Sequence, residues 1–499
     1  MMRSAPILLL VLFSLIASAC SDECCCTCRT NCGEALNGCF QEGDIWVCPA
    51  DATTGNDNGS APDSSADGDL DLLQAETLQD ISPQELVQPD SNPQDATDTN
   101  PDISHDFADA PPVDADLIDD TNADLAAEVD VNPDEPSEMR GIWISRWDFS
   151  SAADIASVME DASNWGFNTV FFQVRGAADA YYNSNVEPWA KGLSGTLGKD
   201  PGWDPLAVAL QEAHSRGMEL HAWVNTFPAW VGTSAIPQTT PPHVLYSHPE
   251  WRQHGIDGTP MAYNASYTWL SPGIPGVRAH VISVLVDIAQ NYDVDGIHLD
   301  YIRYAGPTYS HDAPSEAAYS AAKASSPTLT WGDFQRDVLT AFVDEAYKSI
   351  TAVEPSIKVT TAVWGIYKDS FGWGGTSQGF YDYFQDSHRW VQEGIVDAIC
   401  PMVYWPLTTP KGGWTDFATL ADDHFAASGN RHVYMGISVD YPDVNEILDE
   451  IDYIRSIEAP GTVLFSYVGI KEGGFGPAIR QYSYPTPLPV PPMPWKSQP

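Results

Sequence analysis

The chain of 499 residues carries 69 acidic against 23 basic side chains, a formal net charge of −46. That balance argues against nucleic acid as a partner, because a polyphosphate needs clustered Lys and Arg. Beyond the N-terminal apolar run no stretch reaches the roughly 18 consecutive apolar residues of a membrane-spanning helix, so no transmembrane segment is expected.

Residues 1–19 read as an export signal: Arg3 precedes an apolar run from Ile7 to Phe13 that resumes at Leu15 and ends in small residues before Cys20. The stretch Ile16-Ala17-Ser18-Ala19-Cys20 resembles the lipobox of bacterial lipoproteins, with Ala17 where Leu or Val is usual. The resemblance implies cleavage before Cys20, lipidation of that cysteine and a membrane anchor. Ser21, rather than Asp, follows it, which by the common sorting rule implies an outer membrane.

Eight of the nine cysteines fall between Cys20 and Cys48, and in an exported chain that density predicts a small disulfide-bonded segment over 20–48. Its connectivity is not readable, and lipidation of Cys20 leaves an odd number. Residues 49–138 hold 25 Asp or Glu, no Lys or Arg and one aromatic residue, Phe107. Such a segment cannot bury enough apolar surface to offset its ordering entropy, which predicts a disordered acidic linker. With about 90 residues, its r.m.s. span is roughly 50 Å. Residues 139–499 still hold 39 acidic against 21 basic side chains, which argues against anionic lipid as well as nucleic acid as a partner of the folded part.

From Arg140 short apolar runs alternate with amphipathic helical stretches, the pattern of a parallel sheet with helices outside it. Strands are expected at 141–145, 169–174, 219–224, 296–300, 358–363, 398–404, 432–437 and 462–467. Helical periodicity marks 153–165, 205–216, 277–292, 334–353 and 444–457 between them. Eight βα units predict an α/β fold, a (β/α)8 barrel over 139–483, with a weak last helix and an extended proline-rich tail over 484–499. The longest insertions, 225–271 and 301–330, follow the third and fourth strands, on the face where such barrels carry their sites.

Polar and aromatic residues gather at the predicted strand ends. The first strand leads into Arg146, Trp147 and Asp148; the second into Gln173, Arg175 and Asp179; the third carries His221, Trp223 and Asn225. The fourth reads Asp295-Gly296-Ile297-His298-Leu299-Asp300-Tyr301-Ile302-Arg303-Tyr304, and later strands add Trp364, Tyr367, Met402, Tyr404, Trp405, Asp440, Tyr441, Tyr467 and Glu472. Sugars present apolar faces rimmed with hydroxyl groups, so stacking rings interleaved with carboxylate, amide, imidazole and guanidinium groups suit a glycan.

These residues also resemble the glycosyl-hydrolase-like family 10. The likeness is carried by Asn168 to Arg175, Asp179-Ala180, Tyr182, Ser184, Glu187-Pro188-Trp189, Trp203 to Leu206, Glu212-Ala213-His214 and His221 to Asn225. It continues through Ser271-Pro272-Gly273, Asp295 to Tyr301 and Pro401 to Trp405. It implies a TIM-type barrel exported to the envelope and active on peptidoglycan glycan strands stripped of their stem peptides. Three positions depart from the family pattern: Gly176 and Thr226 stand where proline is usual, and Met402 where glutamine is common.

Glycoside hydrolysis generally uses two carboxyl groups across the scissile bond. Asp300, at the end of the fourth strand with His298 on the same strand face, is the first. Asp179 is preferred as the second, with Asp148, Asp440 and Glu472 as alternatives. Gln173, Arg175, His221, Trp223, Asn225, His298, Tyr301, Arg303, Trp364, Tyr404 and Trp405 are expected to bind the substrate. The fourth strand also resembles the chitinase pattern of three acidic positions, but Ile302 occupies the glutamate position and His298 the middle one. No cofactor or metal site is expected: His214 lies in a helix, and no phosphate-cradling or dinucleotide motif precedes a helix. Two function classes result, an envelope glycosidase and a tethered glycan-binding barrel without turnover.

Overall fold

A computed structural model describes residues 136–407 and 415–496, with the backbone of 40–42 and 45–47. The chain divides into two units, Met1–Leu73 and Gln74–Pro499. In the first, Phe40–Glu42 pairs antiparallel with Ile45–Val47. The export signal, Cys20, the cysteines of 20–48 and nearly all of the acidic linker lie outside the described residues.

In the second unit eight parallel strands close into a barrel. They are β1 (Met139–Ile144), β2 (Thr169–Arg175), β3 (Glu219–Asn225), β4 (Gly296–Asp300), β5 (Lys358–Trp364), β6 (Ala398–Val403), β7 (Met435–Ser438) and β8 (Gly461–Phe465). Each pairs with the next, and β8 returns to β1 through Val463 opposite Gly141. Helices α1 (Ala152–Trp165), α2 (Pro205–His214), α3 (Pro275–Asn291), α4 (Trp331–Val353), α5 (Ser387–Glu393), α6 (Phe417–Ala426) and α7 (Asn445–Ser456) fill the seven crossovers, and α8 (Tyr467–Gly473) follows β8. The fold is the expected (β/α)8 barrel.

Local signals set the helix starts. Ser151 caps α1 by accepting from the Asp154 N–H, Asp204 caps α2 ahead of Pro205, and Thr330 with Asp333 forms a reciprocal capping box on α4. Alternation along the strands divides the core in two. Ile297 and Leu299 of β4 pack outward against helices, as do Leu220, Ala222 and Val224 of β3. Met139, Trp143, Phe171, Trp223, Cys400, Tyr434 and Val463 fill the barrel interior.

The predicted seventh strand breaks into His432–Val433 and β7, with Tyr434 between them turned into the interior. The last helix is short, as expected, and is capped at Gly474; a separate turn, Gly476–Ala478, leads into a five-residue π-helix, Ile479–Ser483. Residues 487–493 of the proline-rich tail carry no regular structure and lead into a 3-10 turn, Pro494–Lys496, against the N-terminal end of the barrel. Met493 joins the interior cluster, Trp495 Nε1 donates to Asp397 Oδ1 at 2.7 Å, and Lys496 reaches Asp397 Oδ2 at 2.9 Å.

One buried acid imposes a pH dependence on stability. Glu450 of α7 is fully buried, accepts from Tyr441 Oη at 2.8 Å through Oε1, and has no partner on Oε2. Burial pushes its carboxyl up to about 9, and the Glu446 charge adds to the shift. A raised carboxyl pKa means that the folded state holds a proton which the unfolded chain releases above its ordinary range. Stability therefore falls as pH rises from about 4.5 toward 9. Glu450→Gln should lower stability at pH 4.5 by about 2 kcal/mol, the cost of the amide's unmet donors, and raise it at pH 8 by on the order of 2–3 kcal/mol, where that cost is outweighed by the ionisation penalty it removes. Denaturant unfolding at the two pH values reads this, and parallel pH profiles for the two proteins would refute it.

Candidate active site

The C-terminal ends of β1 to β5 converge on Asp300. Its side chain is 3 % exposed; Trp223 Nε1 donates to Oδ2 at 3.1 Å and the Tyr301 N–H to Oδ1 at 2.6 Å. Two N–H donors, one on each oxygen, match the ionised carboxylate. Burial nevertheless moves the group above the usual carboxylate range, opposed by the Arg303 charge and by both donors. Tyr301 follows at φ 49°, a left-handed conformation that costs a non-glycine residue about 1–2 kcal/mol. The turn brings the Tyr301 ring against Tyr267 and Trp269, with centroids 5.4 Å from each.

Arg146, Gln173, Asn225 and Tyr267 form a hydrogen-bonded group beside Asp300. Gln173 Oε1 accepts from Arg146 N at 3.0 Å and Nη1 at 3.2 Å, while its Nε2 donates to Asn225 Oδ1 at 3.2 Å. Arg146 Nη2 donates to Tyr267 Oη at 3.0 Å, and Asn225 Nδ2 to Gly176 O at 3.1 Å. Gly176 belongs to this geometry, since a Cβ there would stand 2.7 Å from Arg146 Cζ. Arg303 lies over the rings of Tyr301, Trp364, Tyr383 and Trp269. Tyr404 stacks on Phe465 at 5.6 Å, within electrostatic reach of Asp300 and Asp440. Trp364 donates through Nε1 to Ser377 O at 2.8 Å, and Trp405 packs against the outer core.

Three expected substrate contacts sit elsewhere. Arg175 is fully buried and donates to both oxygens of Glu187, Nε to Oε2 at 2.7 Å and Nη2 to Oε1 at 2.8 Å, with His280 completing the group at 2.9 Å. A register shift between Gln173 and Arg175 sets Arg175 opposite outward-facing Val224 and so takes it off the interior face. His298 is inside the barrel, below Asp300. Its Nε2 accepts from Trp143 Nε1 at 3.1 Å, so the proton sits on Nδ1 and is donated to Thr360 Oγ1 at 2.9 Å. Burial holds this imidazole neutral. His221 is deeper still, 3.5 Å from Glu219 and fitted over Gly296, where any Cβ would collide with its ring. These two histidines fill the barrel interior.

The segment Asp179 to Trp189 is largely an anchor. Ser184 Oγ and the Asn185 N–H donate to Asp287 of α3, while Glu187 holds Arg175. Asp179 Oδ1 accepts from the Ala177 N–H at 2.9 Å, and its charge acts on Arg146 and Tyr181. Among the alternatives, Asp440 and Glu472 are exposed. Asp148, half-buried at the end of β1, accepts from the Ser145 N–H at 2.6 Å, and desolvation pushes its carboxyl up to about 6. Other histidines are separately engaged: His214, at the end of α2, with Asp295 at 2.9 Å, and, in the insertion after β3, His243 as the cap of Val244–Ser247 and His248 stacked on Trp251.

Sequence reasoning did not find Tyr267, Trp269 or Tyr383. The first two lie on a strand, Tyr267–Trp269, that pairs with Pro228–Val231 inside the insertion after β3; the third is in the loop after β5. Neither position is a barrel strand end, the place to which strand periodicity points.

The Glycosyl hydrolase-like 10 family model matches residues 138–447. The chain is 26 % identical over 396 residues to the glycosyl hydrolase YngK of Bacillus subtilis, covering 73 % of this chain and 75 % of that one. It is 28 % identical over 377 residues to the glycosyl hydrolase DigH of Escherichia coli, covering 66 % and 82 %. Among solved structures, the catalytic domain of a β-amylase from Paenibacillus polymyxa aligns at a TM-score of 0.50 with 11 % identity. It covers 70 % of this chain and 99 % of that one, a likeness of fold.

Proposed function

Since the chain belongs to the Glycosyl hydrolase-like 10 family, and is thereby a glycosidase, we propose that it cleaves peptidoglycan glycan strands, or a related amino-sugar polysaccharide, at the cell envelope. The observation that carries the proposal is the setting of Asp300: a buried carboxylate at the centre of the barrel mouth, fixed by two N–H donors and flanked by sugar-stacking rings. In this reading the ionised Asp300 meets the positive charge that develops at the anomeric carbon. Asp148, whose carboxyl keeps its proton to about pH 6, delivers that proton to the departing glycosidic oxygen, and the anomeric carbon takes the hydroxyl of a water molecule whose proton restores the Asp148 acid. Asp179, first choice from sequence, serves instead to fix the loop after β2 beside Arg146.

The test is incubation of the chain with intact peptidoglycan and with strands stripped of stem peptides, followed by mass spectrometry of released fragments. Short sugars from stripped strands, in excess of those from intact wall, are the expected result. Binding without release would favour a tethered glycan-binding barrel.

We also propose an outer-membrane anchor through lipid on Cys20, supported by Ile16 to Ala19 before it for the lipid and by Ser21 after it for the membrane. Cys20→Ala should abolish incorporation of radiolabelled palmitate and move the protein from the membrane to the soluble fraction. Labelling that persists in the variant would contradict the anchor.

A further inference from the structure

Arg303 stands three residues beyond Asp300, and its side chain is 5 % exposed. Its guanidinium carbon lies 4.3 Å from the ring centre of Tyr301, 5.3 Å from that of Trp364, 5.6 Å from Tyr383 and 5.9 Å from Trp269. Among the described residues no carboxylate oxygen comes within 4.0 Å of this guanidinium, and Nη1 has no hydrogen-bond partner. Asp300, the neighbouring acid, has both oxygens engaged by Trp223 and the Tyr301 N–H. Two other buried arginines of the domain hold carboxylates, Arg175 that of Glu187 and Arg140 that of Glu138, each at 2.7 Å, while Arg146 bonds to Gln173 Oε1 and Tyr267 Oη.

A guanidinium does not shed its proton, so a buried one needs an anion or a set of acceptors. Aromatic faces attract the charge, but they do not replace hydrogen bonds, which run in the guanidinium plane. We infer that the mouth takes a sugar bearing a carboxylate, and that Arg303 receives this carboxylate beside the bond that is cleaved. The inference rests on the glycosidase reading of the Asp300 site and makes it narrower. A planar carboxylate fits the fork of donors, while the surrounding rings offer stacking surfaces for the sugar that carries it. Stripped peptidoglycan strands have this chemistry, because removal of the stem peptide leaves a free carboxylate on the lactyl ether of every second sugar. Neutral sugars would offer the guanidinium no hydrogen-bonded anion and leave it only the through-space attraction of Asp300.

The test measures affinity calorimetrically with the full chain in an Asp300→Asn background, where no bond is broken. Two ligand pairs are compared: stripped strands with free carboxylates against the same strands converted to amides, and oligogalacturonate against its methyl ester. The carboxylate form of at least one pair should bind about ten-fold more tightly or better, from charge-assisted hydrogen bonding. Adding Arg303→Gln should lower the carboxylate form's affinity by about ten-fold more than the neutral form's, erasing the preference, and Arg303→Lys should keep part of it. Equal or undetectable binding of both forms in both pairs overturns the inference. So does a loss on Arg303→Gln that is the same for both forms, since that is the behaviour of a support for the aromatic rings. Should the carboxylate preference hold while the wild-type chain cleaves nothing, the enzymatic reading fails and the anion site stands.

Discussion

Asp300→Asn is expected to reduce turnover of stripped glycan strands by about 10⁴-fold while leaving binding within a few-fold of wild type. Asparagine preserves the size of the side chain and removes the charge that would meet the anomeric centre. It also presents a donor to one of two N–H groups, Trp223 Nε1 or Tyr301 N, that now find carboxylate oxygens. That mismatch should cost roughly 1–3 kcal/mol of stability, visible as a lower unfolding midpoint in a protein that still folds. Measuring kcat and ligand affinity on the same preparation separates the two effects. Turnover within ten-fold of wild type would remove Asp300 from the chemistry.

The second large effect belongs to Asp148. A proton donor works only while protonated, so kcat/KM of the wild-type enzyme should fall as pH rises through about 6, the value to which desolvation moves this carboxyl. Asp148→Asn should lower kcat/KM by about 10²- to 10⁴-fold below that pH and flatten the alkaline limb of the profile. The Ser145 N–H, bonded to Oδ2 at 2.6 Å, can donate to the amide oxygen, so the loop should keep its shape. An alkaline limb that survives in the variant would return the role of donor to Asp179 or another acid.

Much of this architecture was legible because periodicity reports which face of an element is buried. The eight strands, the two long insertions and the central position of Asp300 all follow from alternation and from helix starts such as Asp204-Pro205 and Thr330 to Asp333. Alternation also says that His221 and His298 face inward, but not how deep, and depth decides between a ligand contact and a filled interior. Arg175 was misplaced because one irregularity in the β2–β3 register exchanges inside for outside, and nothing in the run Phe-Phe-Gln-Val-Arg marks it. Tyr267 and Trp269 were out of reach for another reason: an insertion pairs with itself and folds back over the mouth, bringing together residues distant in sequence. Arg146 was visible at its strand end, yet its place depends on the missing side chain at Gly176.

The central claim is that this barrel hydrolyses a glycan through Asp300. The most direct measurement follows the full chain and its Asp300→Asn variant on end-labelled, peptide-stripped strands, with products identified by mass spectrometry and the new reducing end assigned. Short sugars with a single kind of new end from the wild type, and none from the variant at equal binding, are the predicted result. Equal product from both proteins, or none from either despite binding, would contradict it.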